Sequence, residues 1–361
     1  MKIVHTESSL GWGGQELRIL SESKGLAGRG HDITLVCPLE ARIYGEAPGW
    51  GLRTVALPIA TKRLDGLLAL RRWVRDNPQD VISTHSSTDS WLSALSMLLL
   101  GRPYPIVRTR HISAPVSTDF LTRWLYTRAT SHIVTAGVAL RKELVERNGF
   151  PAARIDSVPT GIDTGRFRPG DRNAARKALG LPAGQPLIGI VATLRSWKGH
   201  LYLIEAFAGL PKTVRLVMVG DGPMRPQLEA RVDKLGLRER TVFAGNQSDV
   251  VPWLQALDIF ALPSYANEGV PQALVQAMLA RLPCVTTNVG SIAEVATDGR
   301  TALVVPPRNV TGLRYALNRL LDDGMLREQL AETARTHCAA NFSRERMLDR
   351  MEDIYRQAAR R

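Results

Sequence analysis

A short loop between a predicted strand and a predicted helix carries residues that could bind a charged ligand. Glu268 follows the strand, and Pro271 suits the first position of the next helix. Gly269 and Val270 lie between them, so their backbone N–H groups can face an anion at the helix start. The simpler alternative is that Glu268 only stabilises this helix start through the helix dipole, an effect worth under ~1 kcal/mol.

The same helix carries two amide side chains on one face. Gln272 and Gln276 are four residues apart, a spacing that places side chains next to each other on a helix. An amide both donates and accepts hydrogen bonds. Together with Glu268, these residues suit a ligand that bears both hydroxyl groups and phosphate.

Two cations follow an earlier predicted strand. Arg195 and Lys198 precede a predicted helix, where the helix N–H groups and the positive side chains together form a good diphosphate site. Open α/β sheets bind their ligands at the carboxyl ends of the strands, which is where these cations are expected. The alternative is that both cations are solvated loop residues.

Glycines mark two further turns between strands and helices. Gly220-Asp221-Gly222 follows one predicted strand, and Gly13-Gly14 precedes the first predicted helix. Glycine permits close approach of the backbone or a positive φ, although a plain tight turn would use the same residues. Neither segment is a GxGxxG or Walker sequence, which argues against a classical dinucleotide or ATP site.

These turns belong to a chain in which short β-branched strands alternate with amphipathic helices. Such alternation predicts parallel βαβ units, with helices on both faces of each sheet. The pattern restarts near residue 187, so we expect an α/β protein with two doubly wound, Rossmann-like domains over 1–168 and 169–342. The strands are predicted at 2–6, 32–37, 53–57, 80–84, 106–110, 132–135, 155–158, 187–192, 215–219, 241–244, 259–262 and 284–287.

Length and composition fit a two-domain protein of a reducing compartment. The 361 residues are 44% hydrophobic and 22% charged, which is ordinary for a globular chain. The three cysteines are far apart, and no His, Cys and carboxylate cluster has metal-ligand spacing. No apolar run approaches the length of a transmembrane helix and no long apolar leader follows Met1, so we expect a cytoplasmic protein.

The net charge of +13 is typical of a protein with a polyanionic partner, although an Arg-rich composition that serves solubility would give the same charge. The absence of a tight basic tract and of an RNA-binding aromatic motif argues against nucleic acid. Residues 62–75 are basic and amphipathic, and residues 120–125 combine aromatic and basic side chains. We therefore expect peripheral contact with an anionic membrane surface, against the alternative that these apolar residues only face the sheet.

Six segments, spread over nearly the whole chain, resemble the motifs of family 4 retaining glycosyltransferases in their order. The segment from Glu268 to Met278 is similar to the signature E-x-F-G-x-x-x-x-E-A, with Val270 in place of the aromatic residue and Gln276 in place of the second Glu. The other similar segments are Gly13-Gly14-Gln15-Glu16, Gly30-His31-Asp32, Pro159-Thr160-Gly161-Ile162-Asp163, Arg195…Lys198-Gly199 and Gly220-Asp221-Gly222-Pro223.

This resemblance implies the GT-B architecture, in which two Rossmann-like domains face each other across a cleft. The nucleotide-sugar donor is then held mainly by the second domain and the acceptor by the first, and the last helix, 343–361, packs back on the first domain. Gln276 takes the position assigned to the donor ribose. The implied donor-binding residues are Gly13, Gly14, Gly220, Asp221, Gly222, Gly269, Val270, Gln272 and Gln276.

The resemblance also assigns the chemistry. Arg195 and Lys198 would stabilise the leaving diphosphate without a metal, and Glu268 would orient the sugar. His111 ends a predicted strand and resembles the histidine that lies beneath the transferred sugar in related enzymes. Its cationic neighbours favour a neutral imidazole.

We therefore expect retaining, metal-independent transfer of a sugar from a nucleotide-sugar donor to a glycan or lipid-linked acceptor. Bacterial lipopolysaccharide or surface polysaccharide biosynthesis is the expected setting, by analogy with the family. His85 and Arg110 are candidates for the acceptor side. A nucleotide-sugar epimerase or a sugar phosphorylase on the same architecture remains an alternative, and no organic cofactor is implied.

Overall fold

The computed structural model describes residues 1–111, 115–266 and 268–360. They form two compact units of alternating strands and helices. The first comprises Met1–Gly161 together with Arg344–Arg361, and the second comprises Ile162–Ser343. The predicted α/β class and the alternation of strands with helices are confirmed.

The first unit is built on a seven-stranded parallel sheet of order β3-β2-β1-β4-β5-β6-β7. The chain places β2 on one side of β1 and β4 on the other. Loops therefore diverge at the carboxyl ends of β1 and β4, the position at which open α/β sheets bind ligands. The strands are β1 Lys2–Thr6, β2 Asp32–Cys37, β3 Arg53–Ala56, β4 Val81–Thr84, β5 Ile106–Arg110, β6 His132–Thr135 and β7 Ile155–Ser157.

The helices of this unit cover its sheet and include the last helix of the chain. Met351 and Tyr355 are fully buried among residues of the sheet, such as Ile3. A Cβ atom at Gly25 would lie 2.4 Å from Leu348, so the first and last helices approach each other closely. The helices are α1 Gly14–Gly28, α2 Arg42–Glu46, α3 Leu64–Asp76, α4 Ser87–Leu99, α5 Phe120–Trp124, α6 Val138–Glu146 and, after the second unit, α14 Arg344–Ala359.

The second unit repeats this plan on a six-stranded parallel sheet of order β10-β9-β8-β11-β12-β13. Its strands diverge between β8 and β11. The strands are β8 Leu187–Val191, β9 Arg215–Val219, β10 Thr241–Gly245, β11 Ile259–Leu262, β12 Cys284–Thr287 and β13 Leu303–Val305. The helices are α7 Arg172–Ala178, α8 His200–Ala208, α9 Arg225–Lys234, α10 Val251–Ala256, α11 Gln272–Leu279, α12 Val310–Asp322 and α13 Gly324–Asn341.

The division between the units falls earlier than the predicted boundary at residues 168 and 169. Ile162 already belongs to the second unit, where its N–H donates to the Phe342 carbonyl at 2.9 Å. Phe167, which the sequence assigns to the first domain, is buried in the core of the second unit. The restart of the strand and helix pattern near residue 187 does not locate the boundary, because the apolar side chain of Phe167, well before that restart, already packs in the second unit.

Candidate functional site

An ion pair joins two loops at the point where the strands of the second sheet diverge. Lys198 follows β8, Glu268 follows β11, and the Lys198 Nζ atom lies 2.7 and 3.0 Å from the two carboxylate oxygens. Ser264 Oγ donates to the same carboxylate at 2.7 Å. The Glu268 side chain is 5% exposed and that of Lys198 is 19% exposed. A charge pair this shielded from water keeps a strong interaction.

The backbone of the two loops approaches too closely for side chains at the contact. Gly199 has a φ of 80°, and a Cβ atom there would lie 2.0 Å from the Pro263 carbonyl oxygen. The Tyr265 N–H donates to the Trp197 carbonyl at 2.8 Å, which joins the loops directly. Gly199 is therefore required both for its positive φ and for the close approach. This contact positions Lys198 beside Glu268.

Arg195 is exposed and precedes Lys198 by three residues in the same loop. The turn after β9 holds this loop in place. The Leu194 N–H donates to the Asp221 carbonyl at 2.9 Å. A Cβ atom at Gly220 would lie 2.0 Å from the Ala192 carbonyl oxygen, and one at Gly222 would lie 2.7 Å from that of Leu194. In this structure the two glycines therefore let the turn pack against the loop that carries Arg195.

The glutamines lie on α11, directly after the Glu268 loop. Pro271 occupies the position before the first helical residue, with a ψ of 118°, and the helix begins at Gln272. The sequence prediction that Pro271 is the first helical residue is wrong by one position. Val270 is buried, while Gly269, Gln272 and Gln276 are half-buried. The glutamine side chains thus remain accessible in part.

In the first unit, a buried carboxylate occupies the point where β1 and β4 diverge. Glu7 follows β1 and accepts hydrogen bonds from Ser86, Gln15 and the Ser9 N–H. Burial raises the pKa of this carboxyl, and the Ser86 hydrogen bond counteracts part of the rise. Because Gln15 belongs to α1, its hydrogen bond places Glu7 near the start of that helix.

Two glycines stand at the start of α1, and Gly13 is positioned without steric demand. Gly13 has an extended backbone, and the nearest atom to a Cβ there, Glu16 Oε2, would be 3.8 Å away. Gly14 begins the helix and is exposed. Both glycines belong to the first unit, whereas the Lys198–Glu268 pair belongs to the second. Their predicted role in donor binding stays a prediction.

Three histidines form a row at the carboxyl ends of β1, β4 and β5. His111 Nε2 lies 3.1 Å from His85 Nδ1, and His85 Nε2 lies 2.9 Å from His5 Nδ1. Burial is the first cause that lowers the pKa of His111 well below its usual value, followed by the charges of Arg18 and Arg110. The expected neutral imidazole agrees with this direction, although burial is a larger cause than the cations that the sequence suggested.

Among the acceptor-side candidates, His85 is 5% exposed. It therefore lies behind His111 and supports that ring, with little surface of its own for an acceptor. Arg110 is half-buried at the end of β5. Residues 112–114, which follow His111, lie outside the described residues.

In each unit the structure brings two of the predicted site residues into contact. The second unit brings Lys198 and Glu268 into contact, with Arg195 three residues away along the same loop. The first unit brings His111 and His85 into contact. Ser264, Glu7 and His5 were not predicted from the sequence. Their position at or directly after a strand's carboxyl end is the one signal that could have indicated them.

The described residues contain neither a metal-binding cluster nor a membrane-spanning helix. Among the residues that the structure describes, no group of three or more His, Cys, Asp or Glu side chains is arranged to hold a metal ion. Within the same residues, no helix has the length and apolar character needed to cross a membrane.

Two known protein families together match almost the whole chain. Residues 12–166 match the family described as Glycosyltransferase Family 4, and residues 171–337 match Glycosyl transferases group 1. A 2-deoxystreptamine glucosyltransferase of Streptomyces kanamyceticus is 28% identical, over 91% of this chain and 97% of that protein. An alpha-D-kanosaminyltransferase of the same organism is 32% identical over 66% of this chain and 64% of its own length.

Solved structures share the fold. A glycosyltransferase of Rickettsia africae superposes with a TM-score of 0.89 at 20% identity, over 99% of this chain and 98% of that chain. Anabaena HepE, solved with UDP, superposes with a TM-score of 0.85 at 21% identity, over 98% and 99% of the two chains. The two family matches cover both units, and these structures match the two parallel sheets. The chain therefore belongs to the family 4 glycosyltransferases and has the GT-B fold.

Proposed function

We propose that this protein transfers a sugar from a nucleotide-sugar donor to a glycan or lipid-linked acceptor, with retention of anomeric configuration and without a metal ion. The observation that carries the proposal is the shielded contact between Lys198 and Glu268 at the divergence point of the second sheet. A lysine there can hold a carboxylate and a phosphate oxygen together, because its ammonium group has three N–H donors. The carboxylate remains able to accept hydrogen bonds from sugar hydroxyls.

In the proposed reaction, the bond between the anomeric carbon and the diphosphate oxygen breaks as the acceptor hydroxyl attacks from the same face. The acceptor's proton passes to the leaving phosphate oxygen. Arg195 and Lys198 stabilise the negative charge that develops on the diphosphate, while Glu268 and His111 orient the sugar. We favour this same-face route because no side chain is an obvious nucleophile.

The donor base and sugar are open to a direct binding test. Anabaena HepE has been solved with UDP and with UDP-glucose, so UDP-sugars are the first donors to try. A thermal-shift screen would compare UDP, GDP, ADP and CMP with their sugars, since a ligand at 100 times its Kd stabilises by about 2.7 kcal/mol. Stabilisation by one nucleotide and its sugar supports the donor proposal, whereas no stabilisation by any of them contradicts it.

For the acceptor, we propose a glycan or glycolipid of bacterial lipopolysaccharide or surface polysaccharide biosynthesis. An Escherichia coli relative, 24% identical, is a galactosyltransferase named for a diphosphoundecaprenol-linked GlcNAc acceptor. Other relatives are named for 2-deoxystreptamine and for D-inositol 3-phosphate, so small cyclitols are the second class of acceptor. Product analysis with both classes distinguishes them, because only the true acceptor forms a glycoside.

We also propose that the first unit contacts an anionic membrane surface. Both of the segments predicted for this role contact Trp91. The ring of Trp124, from the second segment, stacks on Trp91 with the centroids 6.0 Å apart, and Lys62, from the first segment, lies 5.8 Å from the Trp91 ring. Phe120 is 79% exposed and Leu121 is 61% exposed beside them. Exposed apolar side chains next to cations are the combination that binds anionic lipid surfaces.

Vesicle co-sedimentation tests the membrane proposal. We expect recovery on vesicles containing anionic lipid but not on neutral vesicles, with loss of binding in Phe120→Ser/Leu121→Ser. The matched control is Met325→Ser, which changes an 86% exposed apolar residue of the second unit. Equal binding to both lipids, or an equal loss in the control, would rule out this surface.

Two other kinds of enzyme could use the same architecture. An epimerase would convert the nucleotide sugar without any acceptor, whereas a phosphorylase would cleave a glycan with free phosphate and give a sugar 1-phosphate. Incubation of the donor with and without acceptor, followed by product analysis, separates these reactions from glycosyl transfer.

A further inference from the structure

A chain of buried polar side chains begins behind His111 in the first unit. His111 contacts His85, which contacts His5, and the rings of His5 and His85 stack with their centroids 5.2 Å apart. Ser83 Oγ lies 3.4 Å from the same His85 Nε2 atom that faces His5. The chain therefore branches at His85.

The Ser83 branch passes through the last helix to an ion pair. Ser83 Oγ and the Tyr355 hydroxyl are 2.9 Å apart, and Tyr355 donates to Glu22 at 2.8 Å. Glu22 lies 3.5 Å from the Arg18 guanidinium, and both side chains are fully buried. Arg18 in turn donates to the Val158 carbonyl at 2.6 Å. Of this series of side chains, the proposed reaction uses only His111.

The carboxylate at the far end sets the direction of each hydrogen bond. Glu22, paired with a guanidinium, can only accept, so the single hydroxyl hydrogen of Tyr355 points to it. The Tyr355 oxygen then accepts the only hydroxyl hydrogen of Ser83. Ser83 presents lone pairs to His85, which places the hydrogen of that ring on Nε2. His85 Nδ1 is left as an acceptor, and the hydrogen between the two rings belongs to His111 Nε2.

The scheme requires neutral rings, and the surroundings favour them. Burial is the largest cause that lowers the pKa of His5 and of His85, the latter well below its usual value. In this scheme His5 Nε2 carries a hydrogen, and that buried atom has no hydrogen-bond partner among the described residues. An unsatisfied buried donor costs about 1–3 kcal/mol, so packing alone does not explain why His5 Nε2 is buried without a partner among the described residues.

We propose that Ser83, Tyr355 and Glu22 are positioning residues that hold His111 in the tautomer with its hydrogen on Nε2. The proposal rests on the proposed function, in which His111 lies beneath the transferred sugar. It gives the last helix of the chain a role in the site, because Tyr355 belongs to α14. A ring fixed in one tautomer presents Nδ1 as a defined acceptor, so the sugar meets one arrangement of donors and acceptors.

Nitrogen-15 NMR of histidine-labelled, full-length protein tests the tautomer directly. Protonated and unprotonated ring nitrogens resonate far apart, and loss of signals in His111→Gln assigns His111. We expect Tyr355→Phe and Ser83→Ala to shift the His111 nitrogens towards the average of the two tautomers. Tyr315→Phe, which changes a 66% exposed tyrosine of the second unit, should leave them unchanged. Unchanged His111 nitrogens in both folded variants would overturn the proposal.

Kinetics provide the second measurement. We expect Tyr355→Phe to lower kcat about tenfold with donor KM changed less than about twofold, as for other groups that orient a site residue. The NMR result stands apart from activity, so the two ideas can fail separately. Wild-type activity in His111→Gln would overturn the role of His111 in transfer, whereas a tautomer insensitive to Ser83 and Tyr355 would overturn the positioning chain alone.

Discussion

At the level of single residues, the proposed mechanism depends on two cations that differ in their surroundings. Arg195 is exposed, and its guanidinium lies 5.8 Å from the ring of Trp197. Lys198 is largely buried against Glu268. Removing one partner of a shielded ion pair leaves the other charge poorly compensated. The same substitution at the two positions should therefore have different consequences for folding.

We predict that Arg195→Ala and Lys198→Ala both lower kcat/KM. If both residues stabilise developing charge, each substitution should remove roughly 2–4 kcal/mol of transition-state stabilisation. Lys198→Ala should also lower the melting temperature, whereas Arg195→Ala should leave it unchanged. Steady-state kinetics beside thermal unfolding measures both effects. Wild-type kinetics in either variant would remove that residue from the proposed mechanism.

Glu268 and Gln276 should affect different kinetic constants. We expect Glu268→Gln to lower kcat more than nucleotide affinity, because an interaction stronger in the transition state acts on turnover. Gln276→Ala should weaken nucleotide and nucleotide-sugar binding equally, by about 1 kcal/mol, whereas Gln276→Glu should keep the binding of both or improve it. Calorimetric titration and kinetics test this pattern. An intact kcat in Glu268→Gln together with intact affinity in Gln276→Ala would contradict a donor site in this loop.

At the element scale, the site depends on how closely two strand-to-helix loops meet. Gly199 and Gly180 both have a positive φ, of 80° and 65°, but only Gly199 has backbone atoms within 4 Å of an added Cβ. Comparing alanine at the two positions therefore separates backbone strain from the loss of close approach.

We predict that Gly180→Ala costs about 1–2 kcal/mol of unfolding free energy, the usual strain of a left-handed residue. Gly199→Ala should cost clearly more and should reduce activity, since the Pro263 carbonyl 2.0 Å away must move and with it the loop of Glu268. Urea unfolding and initial rates give both numbers. Equal costs at the two positions would show that the loops tolerate separation.

The first residue of α8 predicts a pH dependence. Burial, followed by the charge of Lys198, lowers the pKa of His200 to about 3, against 6.5 in the unfolded chain. Between these values only the unfolded chain binds the proton, so stability falls as pH falls, by about 1.4 kcal/mol per pH unit. His200→Gln should remove this contribution. Urea unfolding from about pH 4.5 to about pH 7.5 measures it, and parallel curves for the two proteins would contradict it.

Most elements could be predicted from the sequence because their apolar patterns are local. The strands Lys2–Thr6 and Cys284–Thr287 begin and end where the β-branched runs do. The three-residue strand Leu303–Val305 was missed because so short a run has no periodicity. The contact of His5 with His85 joins residues 80 apart, and nothing in the sequence states that β1 pairs with β4. Non-local pairing is what pattern analysis lacks.

At the scale of the whole molecule, the chain is a family 4 glycosyltransferase with one cluster of candidate residues in each unit. The second unit offers a cationic and acidic pair suited to a sugar diphosphate, and the first offers a row of neutral histidines. The excess positive charge, +13 in all, is consistent with the proposed binding of an anionic donor and the proposed contact with an anionic surface. The proposed activity requires the clusters of both units.

Retaining, metal-independent transfer is tested most directly by proton NMR of the reaction between an α-linked nucleotide sugar and the acceptor, in the presence of EDTA. We expect formation of an α-linked glycoside and free nucleoside diphosphate, at a rate that EDTA leaves unchanged and that Glu268→Gln greatly reduces. A β-linked product, a donor sugar altered without a new glycosidic bond, or activity that EDTA abolishes and magnesium restores would contradict it.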